Sequence, residues 1–377
     1  MRIMLLHQNL LFGGAEMLIV EAAVGLKKRG HDILVVTFYN KNPLASRLID
    51  QGVAFQCLHK LGRWDVFSFL RHFLRTVRRF RPDVIYTVMA VPNLISLTAR
   101  LAKPKVKLVW GVTVAFIDLR PYDVVTRMSY WLEARFARLA DLVISNSSAG
   151  VEYAIQRGFP KKNMRMVPNG VDTERYRPDP AARRRIRAEW GIAEGDRLIG
   201  MIGRLDPQKD ITSFLTAAAS VASLEHVRFV VVGSGRPDYR EFLIATCDRL
   251  GLSALTLWIP ARDDIEAIYN ALDLMVISAA AEGTSYALVQ AMACGTSAVV
   301  TEAGDNAIAI GPWGQQVPPR DATALADGIR RQLARLATEG EDLAAGCRRH
   351  IIENFSTESL AARTEALMYS VVPSDRY

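Results

Sequence analysis

Short apolar runs alternate with stretches of helical length along most of this chain, joined by glycine-rich or polar turns. Residues 2–7 read as a strand, 15–29 as a helix closed by Gly30, and 33–38 as the next strand. A strand, turn, helix and second strand at that spacing form one unit of a parallel sheet. Apolar segments at 53–58, 83–88, 106–110 and 142–145 continue the series, with helical stretches at 64–80, 93–101 and 124–140. After VPNG at 167–170, read as a turn, the pattern starts again. Strands at 198–202, 229–232, 255–259, 274–278 and 297–301 are interleaved with helices at 211–223, 239–250, 265–271 and 286–294. Two such arrays predict an α/β chain of two doubly wound, Rossmann-like domains, 1–167 and 168–356. These folds bind ligands at the carboxyl ends of their strands, so two rims facing a cleft are expected. The last amphipathic stretch, within 357–372, reads as a helix returning to the first domain.

At 377 residues the chain exceeds one typical core, which agrees with two domains. Cys57, Cys247, Cys294 and Cys347 are scattered, with no CxxC or Cys/His cluster. That pattern argues against a zinc site or a disulfide framework and fits a reducing compartment. The first apolar run is broken too soon by His7, Gln8 and Asn9 to read as a secretory signal. No uninterrupted run approaches the ~20 apolar residues of a membrane span. The expected location is the cytoplasm, including the inner face of the membrane. The net charge of +8 is uneven. Residues 1–165 carry 25 Lys/Arg against 11 Asp/Glu, a net +14; residues 166–377 carry 22 against 28, a net −6. A basic first half points to an anionic partner: a membrane surface or an acidic substrate. No nucleic-acid reader motif occurs, so nucleic acid is the weakest choice. Residues 64–80 interleave aromatics and leucines with Arg71, His72, Arg75, Arg78 and Arg79. An interfacial helix has this composition, but a packing helix with a basic outer face is the favoured reading.

EGTSYALVQAMACG, 282–295, carries the densest chemistry. It sets Glu282 before a short turn and then a helix from Tyr286 that stops at Gly295. A helix N-terminus offers unpaired N–H groups and partial positive charge, which suit a phosphate. An acid beside an anion site suits a phosphorylated, hydroxyl-rich ligand. Gln290 lies eight positions after Glu282, in the helix. In IGRLDPQK, 202–209, Arg204 and Lys209 leave a strand's carboxyl end, where two cations can neutralise a diphosphate. Gly13-Gly14-Ala15-Glu16 joins the first strand to its helix and lets backbone N–H groups approach a ligand. Gly233-Ser234-Gly235 lacks the third glycine of a dinucleotide fingerprint and reads as a tight turn. Arg262-Asp263-Asp264 reads as a helix cap for residues 265–271, not as a metal site.

Taken together, GGAE at 13–16, NSSAG at 146–150, VPNGVDTERYRP at 167–178, IGRLDPQKD at 202–210, RDDI at 262–265 and the 282–295 motif resemble the retaining glycosyltransferases of the GT-B fold, family 4. The resemblance covers nearly the whole chain, and the ordered set is far more specific than any one member. It implies a nucleotide-diphosphate sugar donor held mainly by the second domain, and a glycan or lipid-linked acceptor. It implies cell-surface polysaccharide synthesis, with no metal or other cofactor. Arg204 and Lys209 would hold the diphosphate, and Ser285, Tyr286, Ala287 and Leu288 would bring the helix N-terminus to it. Glu282 would bind a sugar hydroxyl near the reacting face. Arg262 and its neighbours would lie by the base, and Gly14 would cover the diphosphate. Glu282, Arg204, Lys209 and Asp118 are the catalytic candidates.

Two positions depart from the family's pattern. A second glutamate usually binds the ribose hydroxyls where this chain has Gln290, an uncharged amide that still donates and accepts. Many members carry a histidine after the strand at 106–110, where this loop reads WGVTVAFIDLRPYD. Thr113 and Asp118 are its polar candidates. Two other classes fit the same architecture: a nucleotide-sugar epimerase, and a non-catalytic protein that binds a nucleotide sugar.

Overall fold

The computed structural model describes every residue except 115, 118, 121, 225, 281 and 373–377. The chain divides into two compact units: Met1–Gly170 together with the chain from Thr357 onward, and Val171–Ser356.

The first unit is a seven-stranded, all-parallel sheet of β1 (Arg2–His7), β2 (Asp32–Thr37), β3 (Ala54–Cys57), β4 (Val84–Val88), β5 (Lys107–Val112), β6 (Leu142–Ser145) and β7 (Met164–Met166). Their order is β3-β2-β1-β4-β5-β6-β7, so it reverses between β1 and β4. Successive side chains of a strand point to opposite faces. Accordingly Ile3 and Leu5 join a core on one face, and Met4 and Leu6 join a core on the other. Burial on both faces is why these strands read as unbroken apolar runs. The final helix, Thr357–Tyr369, packs on the first, Gly14–Lys28. Gly25 permits the approach, because a Cβ there would overlap Ala361. Arg29 and His31 both bond Glu365, fixing the returning helix at its polar side.

The second unit is a six-stranded parallel sheet of β8 (Arg197–Ile202), β9 (Val227–Val232), β10 (Thr256–Ile259), β11 (Leu274–Ile277), β12 (Ser297–Thr301) and β13 (Gln315–Val317). Its order is β10-β9-β8-β11-β12-β13, reversing between β8 and β11. Asp273, just before β11, locks the lower end of this junction. Its carboxylate accepts from Leu198 N at 2.7 Å, Arg183 at 2.7 Å and Arg187 at 3.0 Å. The two arginines come from Pro180–Glu189, a polar helix that the apolar pattern did not reveal.

Several expected elements shift. The stretch read as a helix over 64–80 forms Phe67–Phe80, and its Phe69, Phe73 and Val77 are buried, as a packing helix requires. The VPNG segment runs without regular structure, and Asn169 accepts a hydrogen bond from Asn146 at 3.2 Å. The cap assigned to Asp264 is not made: its carboxylate binds Arg262 at 2.8 Å and Arg185 at 3.3 Å, and no backbone N–H of Ile265–Ala271 reaches it. The helices Ser148–Gln156, Asn306–Ile310 and Ala322–Phe355 were not anticipated. The last is interrupted by non-helical backbone at Gly340. No helix among the described residues is long and apolar enough to cross a membrane.

Candidate active site

Loops on either side of a strand-order reversal diverge and leave a crevice at the carboxyl ends. In the second unit the flanking loops are those after β8 and β11, which carry Arg204 and Lys209 on one side and Glu282 on the other. Lys209 Nζ and Glu282 Oε1 meet directly. Both side chains are largely shielded, at 23% and 15% exposure. Arg204 stands in the open at 70% exposure, 3.9 Å from Asp206. A cavity of about 330 Å³ adjoins it, lined by Arg204, Asp206, Pro207, Arg236, Tyr239 and Phe242 among others.

The two loops are held in register by backbone and hydroxyl bonds. Ala280 N donates to Gln208 O at 3.0 Å, and Ser278 Oγ donates to the carbonyls of Lys209 and Asp210 at 2.9 Å each. Asp210 adopts a left-handed conformation, φ 47°, and its carboxylate accepts from Ser213 N to start the next helix. Asp206 caps the short turn Pro207–Lys209 by accepting from Gln208 N at 3.0 Å. This local hydrogen bonding is the reason Asp, rather than a bulkier residue, stands at each corner. The Gly233-Ser234-Gly235 turn supports the same loop from below. Leu205 N donates to Ser234 O at 3.0 Å, and a Cβ on either glycine would overlap the carbonyl of Gly203 or Leu205. These glycines are required for backbone-on-backbone contact, as a tight turn demands.

The helix Tyr286–Ala293 begins at Ser285 without a side-chain cap. Instead Asn306 Oδ1 accepts from Ser285 N at 3.1 Å, and a Cβ on Gly304, φ +59°, would overlap the carbonyls of Glu282 and Gly283. Asn306 and Gly304 thus shape the turn that presents Glu282. Sequence reasoning missed both, because they lie about twenty positions downstream and no local motif marks them. Ser285 and Leu288 are buried, Tyr286 and Ala287 are half-buried. Gln290 is also buried, and its Oε1 accepts from the Tyr269 hydroxyl at 3.0 Å. Burial holds that phenol well above its ordinary range. Arg262 is bound to Glu189 and Asp264. The hydrogen bonds it donates to Asp264 and Glu189 raise its already high pKa further.

The reversal in the first unit lies between β1 and β4. The Gly13-Gly14 turn follows β1, with Gly13 at the helix N-cap and Gly14 exposed. At the end of β4, Met89 adopts φ 81°, ψ 156°, a region nearly exclusive to glycine and worth about 1–3 kcal/mol of strain. Strain of this kind concentrates at functional sites, and nothing in the sequence announces it. Beneath the end of β5, Asn93 Nδ2 donates to Glu133 at 2.7 Å and to Gly111 O at 3.3 Å, and Arg157 binds the other Glu133 oxygen at 2.9 Å. Burial raises the Glu133 carboxyl above its usual range despite Arg157. His7, at the end of β1, is buried, which pulls its imidazole below the ordinary value; its Nδ1 donates to Asn9 O at 2.7 Å. Thr113 is half-buried. Asp118 lies outside the described residues. Among the described residues no group of three or more His, Cys, Asp or Glu side chains is arranged to hold a metal.

Residues 12–175 match the family model Glycosyltransferase Family 4, and residues 182–339 match Glycosyl transferases group 1. The chain belongs to the group 1 glycosyltransferases and has the GT-B fold. It is 31% identical over 187 residues to a D-inositol 3-phosphate glycosyltransferase of Segniliparus rotundus, covering 47% of this chain and 40% of that protein. It is 30% identical over 243 residues to the protein of the same name from Mycobacterium bovis, covering 61% and 48%. The matched part thus spans about half the length of these relatives or less. Among solved structures, Anabaena HepE in complex with UDP has a similar fold, with a TM-score of 0.82 at 21% identity, covering 98% of this chain and 100% of that one.

Proposed function

We propose that the chain is a retaining glycosyltransferase that moves a sugar from a nucleotide-diphosphate donor to a glycan or lipid-linked acceptor in cell-surface polysaccharide synthesis. One observation carries the reading: a lysine and a carboxylate from two different loops meet at the strand-order reversal, ahead of a helix N-terminus. Cleaving the bond between a sugar and a diphosphate develops negative charge on the phosphate and positive charge on the sugar carbon. Lys209, Arg204 and the first-turn N–H groups of Tyr286–Ala293 supply fixed positive charge for the first. Glu282 supplies the negative partner for a sugar hydroxyl and for the reacting carbon. These groups meet the leaving charge without a metal in this reading. The new bond forms on the face that the diphosphate leaves, and a departing phosphate oxygen takes the acceptor's proton, which gives retention. Gln290 stands where a ribose contact is expected, held by Tyr269.

The test is a thermal-shift panel of nucleoside diphosphates and their sugars, followed by product analysis with the best donor and chelator present. The expected result is a raised melting temperature with one base, by mass action, and an acceptor-dependent product of unchanged anomeric configuration. An isomerised free sugar without an acceptor would favour an epimerase. Binding without turnover would favour a non-catalytic binder.

A further inference from the structure

Helices on a protein surface ordinarily turn their apolar side inward. The helix Val124–Phe136 does the reverse. Its buried residues are Ser129, Tyr130 and Glu133, and Glu133 is engaged by Asn93 and Arg157. Val124, Met128 and Trp131 are exposed, Trp131 at 65%, and their i, i+4, i+7 spacing places them on one outward stripe. Arg127 and Arg135 are exposed beside it. A second exposed apolar group leads into the helix Phe67–Phe80 and includes its first residue: Leu61, Trp64 and Phe67 at 93%, 82% and 91%. Behind it the outer face of that helix carries Arg71 and Arg75. The two groups are tied together, because Arg63, next to Trp64, binds Asp123, the cap of Val124–Phe136, at 2.9 Å. Among the described residues, the second unit exposes only Leu224, Phe242, Ile308 and Ile352 of its large apolar side chains, on separate segments.

We infer that the surface formed by Leu61, Trp64, Phe67, Val124, Met128 and Trp131 inserts into an anionic lipid bilayer. Tryptophan, phenylalanine and leucine flanked by arginine fit the interface of a membrane, where apolar groups leave water and guanidinium groups meet phosphate headgroups. The charge is complementary: residues 1–165 carry a net +14. Among the described residues, two carboxylates close to this surface in the chain are engaged, Asp123 by Arg63 and Asp65 by the N–H of Leu61 at 3.1 Å. The inference deepens the proposed function, since it supplies a lipid-linked acceptor at the surface where this chain works. It is tested without any nucleotide, so its failure is separate from failure of the transferase reading.

The experiment is sedimentation of the full chain with vesicles of phosphatidylcholine alone and of an equal mixture with phosphatidylglycerol, at low and high salt. Binding to the anionic vesicles is expected, weakened by salt. W64A/F67A and W131S should each lower partitioning by about tenfold or more, since an apolar contact with lipid is lost. R71E/R75E should remove the preference for anionic lipid while circular dichroism stays unchanged. No binding to anionic vesicles at low salt would overturn the inference, as would W64A/F67A partitioning like the wild type. Self-association in ultracentrifugation that the same substitutions abolish, without vesicle binding, would assign the surface to a second copy of the chain instead.

Discussion

Replacing Glu282 with Gln removes a charge and keeps the shape, and its consequences can be worked out from the contact with Lys209. Fully exposed ion pairs contribute about 0–1 kcal/mol, whereas truncating one partner of a buried pair costs about 3–5 kcal/mol. At 23% and 15% exposure this pair is shielded but still wetted, so about 1–2 kcal/mol is the expected loss. In a unit of this size each kcal/mol moves Tm by about 2–4 °C, so the ligand-free variant should melt about 2–8 °C lower. The same interaction opposes ligand binding. When Lys209 turns to a diphosphate it gives up an ion pair with Glu282, and in the variant only a weaker hydrogen bond to a neutral amide. Nucleoside diphosphate should therefore bind to Glu282→Gln as tightly as to wild type, or up to about tenfold tighter. With the role proposed for Glu282, sugar transfer should fall by about 100-fold or more, because its charge is gone. Differential scanning calorimetry, titration calorimetry with the preferred diphosphate, and initial rates with its sugar make the three measurements. An unchanged Tm together with diphosphate binding weakened tenfold would refute the reasoning, since Glu282 would then orient Lys209 for the phosphate instead of competing for it.

Gln290→Glu should tighten binding of the preferred nucleotide by up to about tenfold, because a charged acceptor makes the stronger bond to a ribose hydroxyl. Equal affinities in a titration would remove position 290 from the ribose contact. Asp273→Ala removes the carboxylate shared by Arg183, Arg187 and Arg197 and the acceptor of the Leu198 N–H, and should cost about 3–5 kcal/mol in urea unfolding of the second unit; a loss under about 1 kcal/mol would mean that the carbonyls already bound by Arg183 and Arg187 suffice to hold them. Acid should release the returning helix. Burial raises the Glu365 carboxyl, but hydrogen bonds from Arg29 and His31 outweigh it and hold it below the ordinary 4.5. Burial lowers His31 below its ordinary 6.5 despite its bond to Glu365. Both folded values are depressed, so both contributions are complete above the unfolded values and are lost as pH falls through the folded ones. Amide exchange in Thr357–Tyr369 should rise from below pH 6.5 and steepen below pH 4.5 relative to the sheet; a flat ratio would show that apolar packing alone holds the helix.

Much of the sheet was legible because parallel strands buried on both faces have no choice but to be apolar. β1, β6 and β12 begin and end where the sequence places them. The polar helix Pro180–Glu189 was not legible, because its arginines are recruited by Asp273, a partner some ninety positions away. Asp264 misled for a similar reason: a local rule assigned it to a cap, and Arg262 and Arg185 took its carboxylate first. At the site, Arg204, Lys209 and Glu282 could be picked out from chemistry and position. What sets their geometry could not. Asn306 and Ser278 act through contacts between loops, and such contacts leave no periodic trace.

The contact of Gly233 and Gly235 with the 203–205 backbone also bears on how this site can change over time. A loop resting on side chains can drift, since its neighbours repack one at a time. Here the loop carrying Arg204 rests on bare main chain, and any residue larger than glycine beneath it would displace the cation above. Residues 203–205 and 233–235 therefore constrain each other as one structural piece. Exchanging the upper loop for that of a relative with another donor should succeed only when the lower turn is exchanged with it.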